Sequence, residues 1–376
     1  MATNTTISNP TSYYDYDYVD DDTEAVDCIH EFEPWANVSI SAVYALIFII
    51  GFFGNLFVII VTSFKQTTRR PVDTFVINLA VADLVFVLTL PFWIVSTGNN
   101  HDWIFGSEVC KISSYIIGVN RYSSIFFLTS MSVDRYLSIV KLLDFRHLRT
   151  QRHAIKICAL IWIGSLVLAI PSAYFRKLIL TNKSYCVDDK SSQFFRGFSL
   201  ASICITFGLP VIIIVFCYCS ILVRLRDHYD QAKKTFQRRE NSLKIVVAIV
   251  LTFVLSWLPF NVLKAVDLYL QSEGIIPNCA LSQAISQGLV IASCLAFVNS
   301  CMNPIIYISL DRHFRRRAAC LANYFFRGTR SRASSISSTS AGSIATLKAL
   351  RWPSLSQSEA SRNINGMSQK RSTNAY

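Results

Sequence analysis

Seven apolar stretches, at about residues 41–64, 74–97, 109–140, 154–175, 197–224, 243–270 and 281–309, constrain this chain more than any other feature. Each is near the ~20 residues an α-helix needs to cross ~30 Å of hydrocarbon. A backbone in lipid must satisfy its own hydrogen bonds, so runs of this kind read as spanning helices. The loops between them are short and polar, with no room for a soluble domain. The expected fold is an all-α membrane protein, a seven-transmembrane helix bundle over 40–310. A short amphipathic eighth helix is expected on the membrane surface over 311–326, between an acidic tail (1–39) and a Ser-rich tail (327–376). Composition agrees, with only 16% of residues charged, where soluble domains carry about a quarter. No basic segment followed by an apolar core precedes the first stretch, so the first span is expected to serve as its own insertion signal.

The net charge of +12 suggests nucleic acid until it is mapped along the chain. Residues 1–40 hold nine acids and no Lys or Arg. Basic residues gather in alternate loops, among them Arg69, Arg70, Arg149, Lys233, Lys234, Arg238 and Arg239, and again in the C-terminal tail. That asymmetry puts these loops in the cytoplasm and the N-terminus outside, and it removes the nucleic-acid reading, since no soluble basic face remains. The chain is thus expected in the plasma membrane as a multi-pass protein. Three N-x-[ST] glycosylation sequons, at Asn4, Asn37 and Asn182, all fall on the outer side. So do four of the eleven cysteines, Cys28, Cys110, Cys186 and Cys279. In an oxidising compartment an even set reads as two disulfides, with three connectivities open.

Ionisable groups inside spans are costly and mark function by default. Asp83 lies near the middle of the second span. It reads either as a neutral, hydrogen-bonded structural acid or as part of a hydrated cation site. Asn120 and Ser124, one turn apart, and Asn299, Ser300 and Asn303 bring further oxygens to a similar depth, which suits a hard cation such as Na⁺. Arg121 follows Cys110 by eleven residues and precedes Arg135 by fourteen, so it sits ~16 Å and ~21 Å from them, too deep to snorkel. It requires either a structural partner, such as Asp83 or backbone carbonyls, or a role as an anion-reading group on the floor of a pocket open to the outside. Asp134-Arg135-Tyr136 closes the third span. Pro259 beside Trp257, and Pro304 between Asn303 and Tyr307, each delete a helical hydrogen bond and make kinked, two-state elements.

These residues resemble the rhodopsin-like (class A) G-protein-coupled receptors over about residues 40–325. Gly54-Asn55 falls in the first span, Leu79-Ala80-Val81-Ala82-Asp83 in the second, Cys110 and Asp134-Arg135-Tyr136 in the third, and Trp162 in the fourth. Pro210 with Tyr218 lies in the fifth, Trp257-Leu258-Pro259 in the sixth and Asn303-Pro304-Ile305-Ile306-Tyr307 in the seventh. Thr89-Leu90-Pro91, Trp103-Ile104-Phe105-Gly106 and the second pair of outer cysteines look like the peptide and chemokine receptor branch.

The resemblance implies a Cys110–Cys186 disulfide and a second from Cys28 to Cys279. It implies an allosteric sodium pocket of Asp83, Asn120, Ser124 and Asn299, with no other cofactor. It implies that Asp134, Arg135, Tyr136, Tyr218, Trp257, Pro259, Asn303, Pro304 and Tyr307 form the switch coupled to a heterotrimeric G protein, leaning to the inhibitory class. Trp93, Arg121, Trp257, Lys264 and Asp267 are the pocket candidates for a peptide or chemokine-like ligand. Ser256 replaces a frequent Cys. The inner end of the sixth span carries Arg238 and Arg239 where relatives often place an acid, so appreciable ligand-independent signalling is expected. The stretch Ile291-Ala292-Ser293-Cys294 lacks the acid common in chemokine receptors. With Arg121 present, the pocket is expected to prefer an anionic ligand group.

Tyr13, Tyr14, Tyr16 and Tyr18 interleave with aspartates in a segment expected to be a disordered arm that attracts a basic ligand, its tyrosines resembling sulfation sites. Residues 311–317 read as a helix lying on membrane lipids, with Cys320 a palmitoylation candidate. The Ser/Thr-dense segment 331–343 suits phosphorylation read by arrestin. A secondary transporter would need inverted repeats and interrupted helices. An intramembrane enzyme would need a motif such as HExxH or GxSxG, and neither occurs. A non-signalling scavenger receptor is the nearer alternative, against which the intact Asp134-Arg135-Tyr136 argues.

Overall fold

The computed structural model describes residues 34–64, 70–140, 150–189, 192–227, 233–275 and 277–336. The chain divides into two compact units, Met1–Ala322 and Asn323–Tyr376. The first holds the bundle. Its spans are α1 (Pro34–Ser63), α2 (Pro71–Val87) continued by α3 (Leu90–Gly98), α4 (Gly106–Ile139) and α5 (Gln151–Tyr174). An outer hairpin follows, β1 (Arg176–Leu180) and β2 (Ser184–Asp188). The fifth span is α6 (Gln193–Ile203), a π-turn over Cys204–Gly208 and α7 (Leu209–Asp227); α8 (Lys233–Ser272) and α9 (Cys279–Leu310) complete the bundle. A last helix, α10 (Arg312–Ile336), runs from the first unit into the second, where Tyr324 and Phe325 meet edge to face.

Six of the spans are apolar enough over their length to cross a membrane on composition alone; the third span, α4, is not among them. Lys111, Arg121, Asp134, Arg135 and many serines lower its apolarity. The reason is position: α4 packs against α2, α5, α7 and α8, so protein rather than lipid covers most of its surface and it needs no apolar girdle. Lipid-facing side chains lie on other spans, such as Phe53, Leu160, Ile212 and Leu255, all about two-thirds exposed.

Helix starts are chemically marked. Thr150 Oγ1 accepts from His153 N at 3.4 Å, and Asn278 Oδ1 accepts from Leu281 N at 2.9 Å, each meeting a donor that the first turn cannot satisfy. Prolines explain the breaks. The second span is interrupted between Val87 and Leu90, ahead of Pro91, with Thr89 Oγ1 donating to the Phe86 carbonyl. The π-turn precedes Pro210, and its extra residue per turn relieves the clash of the ring with the carbonyl four residues back. In α9, Pro304 brings no N–H to the Ser300 carbonyl, and Asn55 Nδ2 of α1 donates to that carbonyl at 2.9 Å instead. Gly54 permits the approach, since a Cβ there would lie 2.9 Å from the Pro304 ring. Trp162 Nε1 donates to Asn78 Oδ1 at 2.9 Å and locks the fourth span to the second.

Three boundaries differ from expectation. The first helix begins at Pro34, so residues 34–39 belong to it rather than to the arm: Pro34 suits a first turn and Ile40 and Tyr44 are buried beneath it. α8 starts at Lys233, well inside the cytoplasmic loop. α10 runs to Ile336, ten residues past the expected 326; Arg327, Arg330, Arg332 and Ala333 favour the helix there, while Gly328 and the serines do not.

Candidate functional site

The hairpin closes the outer end. Cys186 of β2 is bonded to Cys110 of α4, the Cα atoms 5.8 Å apart, as the resemblance implied. Cys279 is also disulfide-bonded, while its expected partner Cys28 lies outside the described residues. Register pairs Arg176 with Asp188 across the hairpin. Arg176 Nη1 bonds Asp188 Oδ1 at 2.6 Å, and its guanidinium lies 5.5 Å over the Trp93 ring. Lys264 of α8 stands 3.9 Å from the other Asp188 oxygen and 5.9 Å from the Phe195 ring. Trp93, its ring tilted 55° to that of Trp103 with centroids 4.9 Å apart, has a buried Nε1 without a partner. Asp267 accepts from Gln271 on its own helix at 2.7 Å.

Arg121, inside the third span, donates from Nη2 to Ser202 Oγ of the fifth, and its guanidinium lies 5.3 Å from the Tyr122 ring. Tyr122 OH shares the same Ser202 hydroxyl at 2.9 Å. The structural partner expected for Arg121 was Asp83 or backbone carbonyls; the partner is instead a neutral hydroxyl. Among the described residues no carboxylate pairs with Arg121, and its Nε is buried without a hydrogen bond. A guanidinium held this way keeps capacity for an anion. Trp257, beside the Pro259 kink, is 6% exposed, with an unpartnered Nε1 and the Phe253 and Phe260 rings about it.

Deeper, Asp83 is fully buried. Asn120 Nδ2 donates to Oδ1 at 3.0 Å and Asn303 Nδ2 to Oδ2 at 2.9 Å, while Asn120 also reaches Ser124 Oγ at 3.3 Å. Asn299 lies 2% exposed with its Oδ1 unpartnered. Among the described residues Asp83 has no cationic partner, and no group of three or more His, Cys, Asp or Glu gathers. Carboxylate, amide and hydroxyl oxygens fit a hard cation and not a transition metal.

At the inner end Asp134 is 8% exposed, and neither it nor Arg135 stands free. Tyr136 packs 5.9 Å from Phe216, Tyr218 joins Ile139 and Ile221, and Tyr307 is buried with its hydroxyl unpartnered. Arg238 and Arg239 fall on α8, but their side chains lie outside the described residues. An unforeseen clasp ties α10 to the second span: Asp73, almost fully buried, takes Arg70 at 2.7 Å and Arg317 at 3.1 Å. Asp311 accepts from His313 N and Phe314 N and starts α10. Cys320 is exposed and free.

Of the sequons, Asn182 is exposed on the hairpin turn and Asn4 lies outside the described residues. Asn37 corrects the expectation. It is 4% exposed, and the Nδ2 that a glycan would occupy donates to Asn100 Oδ1 at 3.0 Å. Tyr13, Tyr14, Tyr16 and Tyr18 also lie outside the described residues. Arg176, Asp188 and Ser202 escaped the sequence reading. The turn residues Thr181-Asn182-Lys183 between two five-residue runs carried the hairpin signal.

The sequence matches the family described as 7 transmembrane receptor (rhodopsin family) over residues 54–307. It is 37% identical to apelin receptor B of Danio rerio, over 90% of this chain and 99% of that receptor. It is 36% identical to probable G-protein coupled receptor 25 of Mus musculus, over 76% of this chain and 78% of that one. It is 34% identical to type-1 angiotensin II receptor B of Mus musculus, over 79% and 84%. With its seven spans, its Cys110–Cys186 bridge and the Asp83, Asp134–Tyr136 and Asn303–Tyr307 constellations in place, the chain belongs to the rhodopsin family of G-protein-coupled receptors, multi-pass proteins of the plasma membrane and not enzymes.

Proposed function

We propose that the chain is a receptor for an extracellular peptide that delivers an anionic group, such as a carboxylate terminus, to Arg121 and passes the signal to a heterotrimeric G protein of the inhibitory class. The observation that carries this is the Arg121 guanidinium, deep in the third span and held by a neutral hydroxyl with no carboxylate partner among the described residues. Arg176 and Lys264 stand nearer the outer surface, both against the carboxylate of Asp188. The names of the apelin and angiotensin II receptors speak for peptide ligands in this group, and a peptide is favoured here over a chemokine. Arrestin reading a phosphorylated tail, and a membrane-surface α10 palmitoylated at Cys320, belong to the same proposal.

Sodium at Asp83, Asn120, Ser124 and Asn299 is also proposed. It is supported by the uncompensated acid and the orphaned Asn299 oxygen. There the ion would offset the Asp83 charge, displacing amide donors that now face the carboxylate.

G-protein dissociation in cells, under a peptide panel that includes apelin and angiotensin II sequences, tests the receptor reading. An Arg–carboxylate contact of about 1.5–3 kcal/mol corresponds to roughly 10- to 150-fold in potency. Arg121→Ala is expected to lose at least that much response while surface expression holds. Unchanged potency overturns the pocket-floor role, and arrestin uptake without any G-protein response would favour a scavenger.

A further inference from the structure

Arg121 places a positive charge inside the third span that no acid among the described residues balances. The acid of similar depth, Asp83, gives its two oxygens to Asn120 and Asn303. No carboxylate of the described residues comes within ion-pair distance of the guanidinium. An unbalanced cation within a bundle is costly, because burial removes solvation without supplying a counter-charge.

The groups that surround it have hydrogens to give. Nε is buried and makes no hydrogen bond. Tyr122 and Ser202, both buried, share one bond of 2.9 Å between their hydroxyls, and the Ser202 oxygen also accepts from Arg121 Nη2. The pair owns two hydroxyl hydrogens and its shared bond uses one, so one remains to be donated. Arg121 is also reachable. It keeps partial exposure while Asn120, Tyr122 and Ser202 are buried, and α4 is packed among α2, α5, α7 and α8. The side chain therefore faces space within the bundle rather than lipid.

Charge and shape decide which solute suits these donors. One guanidinium matches one negative charge, and a divalent anion would bring a second charge at a further desolvation cost. A spherical ion needs no planar fork, part of which Ser202 already holds. We propose that Arg121, Tyr122 and Ser202 form a binding site for a compact monovalent anion in the ligand-free receptor, and that in extracellular fluid this anion is chloride. The ion accepts from Arg121 Nε and from the hydroxyl hydrogen left over by the Tyr122–Ser202 pair. It supplies the counter-charge that the bundle lacks at this depth. Only the corollary, that a ligand carboxylate must displace the ion, rests on the peptide reading.

The test uses the purified full chain in phosphatidylcholine nanodiscs without any peptide. Gluconate is exchanged for chloride at fixed sodium, so that the Asp83 cluster sees no change. For a site half-filled near ~10 mM, ~150 mM chloride favours the folded state about 16-fold, which raises Tm by roughly 3–6 °C. The rise should saturate, and bromide should reproduce it. Arg121→Gln should abolish it, while Arg312→Gln, at an exposed position of α10, should keep it. A Tm unmoved by chloride, a rise that does not saturate, or a rise retained by folded Arg121→Gln overturns the proposal. If Arg121→Gln does not fold, bromide soaked into crystals of the unmodified receptor decides: an anomalous peak beside Arg121 Nε is expected, and no peak there overturns the site. Because no peptide is present, chloride binding can fail while Arg121 still reads a ligand carboxylate, and the two failures are told apart.

Discussion

Asn55 offers a test of how the bundle tolerates a proline in its last span. The Ser300 carbonyl would normally accept from the N–H four residues later, but residue 304 is proline, and Asn55 Nδ2 takes that place at 2.9 Å from another helix. The same nitrogen also meets the Gly51 carbonyl. Removing it by Asn55→Ala leaves a buried carbonyl unmet, which costs about 1–3 kcal/mol. The lower end applies, because the substitution also deletes the unpartnered Asn55 Oδ1. Pro304→Ala restores the in-helix N–H, although it gives up the ring seated against Gly54. The double variant should then lose less than the sum of the singles, by a coupling of about 1 kcal/mol. Thermal unfolding of the purified protein in nanodiscs reads this, at roughly 2–4 °C per kcal/mol for domains of 150–250 residues. Strict additivity of the two substitutions would refute the exchange of donors.

The Asp73 clasp should behave as a partly buried ion pair, since the Asp73 side chain is 5% and that of Arg317 18% exposed. Arg317→Ala and Asp73→Ala should couple by about 1 kcal/mol in a double-mutant cycle on thermal stability, and zero coupling would show that α10 is held by Phe314 and Leu321 alone. His313 is pushed below its ordinary range first by burial and then by Arg70 and Arg317. Its neutral form is therefore the one the fold prefers. The stability it contributes is full above the unfolded value near 6.5 and falls as pH drops below it, because the unfolded chain takes up the proton first. His313→Gln should flatten that part of the stability–pH curve; an unchanged slope would assign it to other groups.

Much of this was legible in the residues because membranes impose simple rules. Span number, sidedness and the depth of Arg121 follow from counting apolar and basic positions. The lower apolarity of α4 was not singled out among the seven stretches, and its burial at the bundle centre supplies the cause. What stayed hidden depends on contacts between distant residues. Nothing near Asn55 announces Ser300, 245 positions away, nor does Asp73 announce Arg317. Arg121 was readable as buried, but its Ser202 partner was not, since a serine in an apolar span looks the same whether it bonds its own helix or a neighbour. The burial of Asn37 was not readable from its sequon, because the motif reports local sequence and not burial.

The claim that Arg121 reads an anionic ligand group is tested most directly by one cycle: an activating peptide as its free acid and as its C-terminal amide, on the native receptor and on Arg121→Gln, read by G-protein dissociation. Amidation should cost roughly tenfold or more in potency on the native receptor, and that penalty should vanish in Arg121→Gln. The same penalty on both receptors would contradict the account and move the recognition of the carboxylate elsewhere, with Arg176 and Lys264 the next groups to examine.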